Sequence, residues 1–296
     1  MRTTGILLAV FLVAAASSAQ IAPTPEGFPA EKVFLALEKS YPGWVIYRQT
    51  GQVPILSVGG SDFVWAEGRL LPPRQAEHWA DFAPQPFYKY PSQIPDVASW
   101  SDDRVADAEA RLASRRSTPP RRESVFFDTL WGIHDRGTAD AAQKRIRFLG
   151  LPVTVHRSLE AVFLRIQARL EAARADDPTL DAFLRTLVRL EGYNWRDIAE
   201  TQSRSNHAYG AAIDLIPRSY GNRAPYWLWA PQEHPGWYRT AWLHRWEPHP
   251  AVVKAFEDEG FVWGGKWLLF DTIHFEYRPE ILALSGYGDE ATLLRP

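Results

Sequence analysis

The sequence predicts an α+β fold in which helices pack on a small antiparallel sheet, with a smaller N-terminal region in front. Three observations carry that expectation. Apolar residues recur at helical spacing between Ser158 and Leu190, and short aromatic or β-branched runs broken by glycine lie near the front of the chain and again beyond Ser205. A hydrophobic content of 46% in 296 residues supplies one fair-sized core.

Taken in order, residues 1–19 hold Arg2, an apolar run from Ile6 to Ala16 and the small residues Ser17, Ser18 and Ala19 ahead of Gln20. This is the pattern of a secretory signal peptide. The run is too short to cross a bilayer comfortably, and no cysteine stands at the cleavage site to take a lipid. The expected product is exported, to the periplasm or beyond the cell, with no membrane span once the signal is removed. Without cysteine the fold has no disulfides, so any metal site must be built from His, Asp and Glu. A formal net charge of −2 gives no footprint of a nucleic-acid binder.

From Pro29 to Ser40 the stripe Val33, Phe34, Leu37 predicts a short helix stopped by Tyr41-Pro42-Gly43. Trp44–Tyr47, Ile55–Val58 and Phe63–Ala66, separated by Thr50-Gly51 and Gly59-Gly60, predict short strands joined by turns. The proline-dense stretch from Pro84 to Pro95 predicts irregular chain. Ser114 to Arg122, charged and proline-containing, reads as a solvated linker. Residues 20–116 therefore form an aromatic- and Pro-rich region of unassigned role, and residues 117–296 the chemical domain. Within it, Ser158 is the expected N-cap of a helix burying Leu159, Val162, Phe163, Ile166 and Leu170. A second helix is expected from Thr179, burying Leu180, Phe183, Leu184, Leu187 and Leu190 and stopping at Gly192.

The chemistry begins at Ser205-Asn-His-Ala-Tyr-Gly-Ala-Ala-Ile-Asp-Leu215. Seven residues are nearly two helical turns, so His207 and Asp214 fit one helix face; but Gly210 in the middle, and the alternation of Ala211, Ile213 and Leu215 with Ala212 and Asp214, favour a loop, a glycine turn and then a strand. On that geometry Ala212 and Asp214 share a side, and His207 folds back towards the carboxylate. The partner stretch is Phe270-Asp271-Thr-Ile-His274-Phe-Glu-Tyr277. His207, Asp214 and His274 together make two imidazoles and a carboxylate, a catalytic zinc set with a fourth place for water, and Asp271 is the spare acid that can take that water's proton. Arg223–Pro250 is dense in aromatics and reads as packing more than as a flap over the cleft; His234, His244 and His249 there read as loop histidines.

The order Ser205-x-His207-x-x-Gly210-x-Ala212-x-Asp214, Phe261-x-Trp263-Gly264-Gly265-x-Trp267 and Asp271-x-x-His274-Phe275-Glu276 resembles the zinc peptidases that cut peptidoglycan stem peptides. That family includes D-alanyl-D-alanine carboxypeptidases and dipeptidases and L-alanyl-D-glutamate endopeptidases. The likeness runs from about Gly192 to Tyr277 and implies a zinc metallopeptidase whose partners are peptidoglycan stem peptides. It makes His207, Asp214 and His274 the ligands of Zn2+ and Asp271 the general base. It assigns Arg196 to the developing oxyanion, with Arg204 as the fallback, and Ser205 and Trp267 to the substrate side of the site. Aspartate rather than glutamate at 271 leans towards the L-alanyl-D-glutamate endopeptidases. The alternatives are a D-alanyl-D-alanine carboxypeptidase, a non-catalytic peptide-binding module, and an envelope protein whose Trp-rich N-terminal part is the working element.

Overall fold

A computed structural model describes residues 27–50, 53–227, 229 and 242–287. The expected signal segment and His234 lie outside them. Helix α1 (Ala30–Ser40) buries Val33, Phe34 and Leu37, as their spacing predicts. It is followed by an antiparallel meander of β1 (Val45–Thr50), β2 (Val53–Val58), β3 (Ser61–Ala66) and β4 (Arg69–Leu71). The turns explain the register: Gly59 and Gly60 both take positive φ, as do Glu67 and Gly68, which is the twist that two-residue hairpins require. The last hairpin was not expected from sequence, because Arg-Leu-Leu is too short to show alternation.

The proline-dense stretch is irregular, as expected, yet Tyr88 and Tyr90 within it are buried. Helix α2 (Asp102–Ser117) corrects the linker reading of Ser114–Arg122. Ser101 caps it, and it buries Val105, Ala108, Leu112 and Arg115. Beyond its end, Arg122 donates from Nε to the Pro84 carbonyl at 3.0 Å and from its amide to Ser203 Oγ at 3.1 Å, so this chain is packed rather than solvated. Three small apolar positions on a charged helix give too thin a stripe to read.

Helices α3 (Val125–Trp131) and α4 (Arg136–Ala142) lead to a hairpin of β5 (Gln143–Phe148) and β6 (Leu151–His156). Helix α5 (Glu160–Ala173) buries Val162, Phe163, Ile166 and Leu170, the predicted stripe. Ser158 is not its N-cap; a 3-10 turn over Arg157–Leu159 precedes the helix, and there the His156 ring accepts the Ser158 amide. The second expected helix is a larger correction. Helix α6 (Pro178–Leu184) ends early, and Leu187–Glu191 is strand β7. Leu187 and Leu190 are buried as expected, but a bulge between Leu187 and Arg189 shifts the pleat and brings two residues three apart to one face, which imitates a helix in the sequence.

The central sheet, ordered β7–β8–β10–β9, contains β8 (Ala212–Pro217), β9 (Phe261–Trp263) and β10 (His274–Tyr277), all antiparallel. Helix α7 (Pro250–Asp258), capped by His249, and helix α8 (Pro279–Leu284) complete the fold. Phe275 stacks on Phe256 of α7 at 4.3 Å between ring centres, and Phe163 of α5 meets Phe261 edge-on at 5.5 Å. One buried cluster runs from Val33 to Leu284, so α1 shares the core of the sheet. Among the described residues no helix is long and apolar enough to cross a membrane.

Candidate metal centre

Strand pairing places Asp214 directly opposite His274, and Ala212 opposite Glu276. Cross-strand partners share a face, so the carboxylate and the imidazole meet on the side of the sheet away from Phe275 and Ile213. His207 arrives from a 3-10 turn over Asn206–Tyr209, in which Ser205 Oγ accepts the His207 amide at 3.3 Å. Gly210 ends that turn at φ 68°; a Cβ there would lie 2.0 Å from Gln143 Oε1 and 2.6 Å from the His156 amide nitrogen. The loop–glycine–strand reading of this stretch is borne out, because only glycine fits so tight a turn against the β5–β6 hairpin.

The three donor atoms converge. Asp214 Oδ1 lies 2.9 Å from His274 Nδ1 and 3.2 Å from His207 Nε2, and the two imidazole nitrogens are 3.2 Å apart. Among the described residues His207, Asp214 and His274 form a buried group with the reach to hold one metal ion, their ligand atoms all within 4.8 Å. The outer nitrogens are held as well: His207 Nδ1 donates to the Gly192 carbonyl at 2.6 Å, and His274 Nε2 faces Glu276 Oε2 at 3.4 Å. Such contacts fix which nitrogen faces a cation. Asn206 Nδ2 in turn donates to Glu276 Oε2 at 2.7 Å. Donor type, number and outer support fit Zn2+ with one coordination place open.

Electrostatics point the same way. Burial by itself raises the Asp214 carboxyl, but His207 and His274 outweigh it and hold the group well below the carboxylate range. Burial by itself lowers His274, yet hydrogen bonds to Asp214 and Glu276 push it up to about 10. Asp271 is pushed up to about 7 by burial and by the Asp214 charge, against the pull of His274 and Arg196. Its Oδ1 is buried and has no hydrogen-bond partner among the described residues. The backbone beneath it is fixed by Gly264, whose carbonyl accepts the Asp271 amide at 3.0 Å and whose missing Cβ would lie 2.5 Å from the Asp271 carbonyl oxygen.

A cleft of about 450 Å³ opens over this face, and its wall includes Asp214, Asp271, His274, Ser205, Arg196 and Trp267. His207 stands behind it, on a second cavity shared with Arg196 and Asp214. Arg196 is exposed at the rim, where Nη1 donates to the Asp197 carbonyl at 3.3 Å. Trp267 lies 5.6 Å from the His274 ring and donates from Nε1 to Tyr88 Oη at 2.8 Å. Arg204 pairs with Asp128 and stacks over Trp195 and Tyr209, away from the donor atoms. In the aromatic segment, Trp242 and Trp246 pack against Trp263 and Phe183, whereas Tyr226, Trp227 and Trp229 line the cleft. His249 bonds Thr179 and caps α7, and His244 sits in a short turn, so neither joins a metal site.

At this site the sequence assigns no role to Glu276, Gly192, Tyr88 or Arg115. Glu276 was legible, since two residues beyond His274 on a strand is the same face. The Gly192 contact is made by a backbone carbonyl, which no residue type announces.

No curated protein and no solved structure matches the chain. Residues 199–277 match the family model described as D-alanyl-D-alanine carboxypeptidase. That stretch holds His207, Asp214, Asp271 and His274 together with both flanking glycine turns, and over it the chain is similar to the D-alanyl-D-alanine carboxypeptidases.

Proposed function

We propose that the protein is an exported zinc peptidase that hydrolyses a peptide bond in peptidoglycan stem peptides, with residues 1–19 as its signal peptide and residues 117–296 carrying the catalytic groups. One observation supports this above the others: a buried two-histidine, one-aspartate set stands at a cleft that Asp214 and His274 line, beside a second aspartate whose Oδ1 has no hydrogen-bond partner among the described residues. Zn2+ bound by His207, Asp214 and His274 would polarise the scissile carbonyl and make water a nucleophile near neutral pH.

The chain's own groups supply the rest. Asp271 takes the proton of the attacking water and returns it to the departing amine, for which a carboxyl near neutrality is suited. Arg196, at the rim of both cavities, stabilises the negative charge that forms on the carbonyl oxygen. Ser205 holds the His207 turn, and Trp267 gives a flat apolar wall beside His274 for the substrate. Aspartate at 271 favours the L-alanyl-D-glutamate bond over the terminal D-alanyl-D-alanine bond.

Purified sacculi incubated with the wild type and with Asp271→Ala, followed by mass analysis of the products, test the reading. New fragments from the wild type alone are expected, and their mass names the bond. Identical product profiles would end it.

A further inference from the structure

Helix α2 lies outside the stretch that carries the family likeness, yet it forms part of the cleft. Its apolar face, Ala108 and Leu112, packs with Trp227 and with Leu268, Leu269 and Phe270, the last three of which lead directly into Asp271. In its last turn Arg115 lines the cleft with Arg196, Ile198 and Tyr226. Arg115 is only 5% exposed. Its Nη2 donates to the Ala199 carbonyl at 3.2 Å, but its Nε is buried without a hydrogen-bond partner among the described residues. Glu200, whose charge acts on Arg115, is itself paired with Arg116 at 3.3 Å. Tyr226 stands between the two ends of the cleft: it bridges to Asp271 through the backbone, and its phenol feels Asp271, Arg196 and Arg115 together.

Among the described residues Arg115 has no ion pair, which makes its burial costly, and burial draws it below its ordinary value against the pull of Glu200. A planar fork with an unused N–H is suited to a carboxylate, which an amide cannot replace. The cleft wall thus carries Asp214, Asp271 and Glu276 and also the guanidinium of Arg115, contributed by a different element. We infer that Arg115 is a specificity-determining residue that binds a free carboxylate of the peptide substrate, so that the region before residue 117 completes the cleft. The inference rests on the peptidase reading for the identity of the ligand. Two stem-peptide groups share this chemistry: the α-carboxylate of D-glutamate, and the terminal carboxylate of D-alanine.

The test uses full-length, zinc-loaded protein and two peptide pairs: acetyl-L-alanyl-γ-D-glutamyl-L-lysine with the glutamate α-carboxyl free or amidated, and acetyl-L-lysyl-D-alanyl-D-alanine with its terminus free or amidated. For one pair the wild type is expected to favour the free acid by about tenfold or more in kcat/KM, and Arg115→Met to bring that ratio to about one, mainly through KM. The pair that responds names the source of the carboxylate. Because the ratio is taken within one preparation, a poorly folded variant lowers both members equally and leaves it unchanged. Calorimetric titration of Asp271→Asn, with and without Arg115→Met, by the same peptides reads the preference without turnover. Arg115-dependent binding of the acids with no cleavage of any peptide by the wild type would sink the peptidase reading and keep this one. Acid-to-amide ratios and affinities indifferent to Arg115 would overturn it.

Discussion

Asp271 Oδ1 is a buried oxygen without a hydrogen-bond partner among the described residues, and a native fold keeps such an atom at a cost unless something is to be bound there. Asp271→Asn preserves shape and removes the proposed base, so kcat is expected to fall roughly 10²–10⁴-fold while zinc content, measured by atomic absorption, stays near one per chain. A sign can be given for the metal itself. His274, pushed up to about 10 by its hydrogen bonds to Asp214 and Glu276 against the effect of burial, carries a proton at neutral pH that a zinc ion must displace. Zinc affinity is therefore expected to rise with pH, about tenfold per unit between roughly pH 6 and pH 8 for one proton released, as read by competition with a chelating indicator. Of these atoms, the ligands and the acid were legible because side-chain chemistry is spelled by residue type; the Gly192 carbonyl that orients His207 was not.

At the level of single elements, the turn that Gly210 ends carries His207 to the donors that strand pairing sets opposite one another. Gly210→Ala would force a left-handed residue and drive a methyl into the β5–β6 hairpin. A loss of more than about 2 kcal/mol in a urea titration is expected, with lowered zinc occupancy as the His207 turn shifts. Gly210 betrayed itself in the sequence by sitting where neither a helix nor a strand would want it. Strand β7 did not, because Leu187 and Leu190 are both buried at a spacing that a helix and a bulged strand share. The burial was read correctly and the element wrongly. Helix α2 was hidden for the opposite reason: Val105, Ala108 and Leu112 bury little, and the arginines that close the helix look like solvated chain.

Across the whole molecule, the front of the chain is tied to its end. Tyr41 donates to Glu280 at 2.9 Å inside the core, Tyr90 Oη accepts the Trp263 amide at 2.9 Å, and Tyr90 donates its own amide to Ser285 Oγ at 2.7 Å. Tyr41→Phe leaves a buried carboxylate oxygen short of a donor and is expected to cost about 1–3 kcal/mol by chemical denaturation. A chain begun at residue 117 keeps every proposed catalytic group but loses α1 and the tyrosines that close the shared core. It is expected to show no cooperative thermal transition by circular dichroism, whereas residues 20–296 should show one.

By itself the sequence determined the α+β class and the glycine turn between His207 and Asp214, and it named the candidate donors His207, Asp214 and His274 and the acid proposed beside them, because these depend on residue type and on short-range spacing. Only the tertiary structure decided that Asp214 and His274 stand opposite one another, that Tyr88 meets Trp267, and that Arg115 faces the cleft. Those contacts join residues far apart in the chain, and strand register and core packing, not local pattern, set such distances.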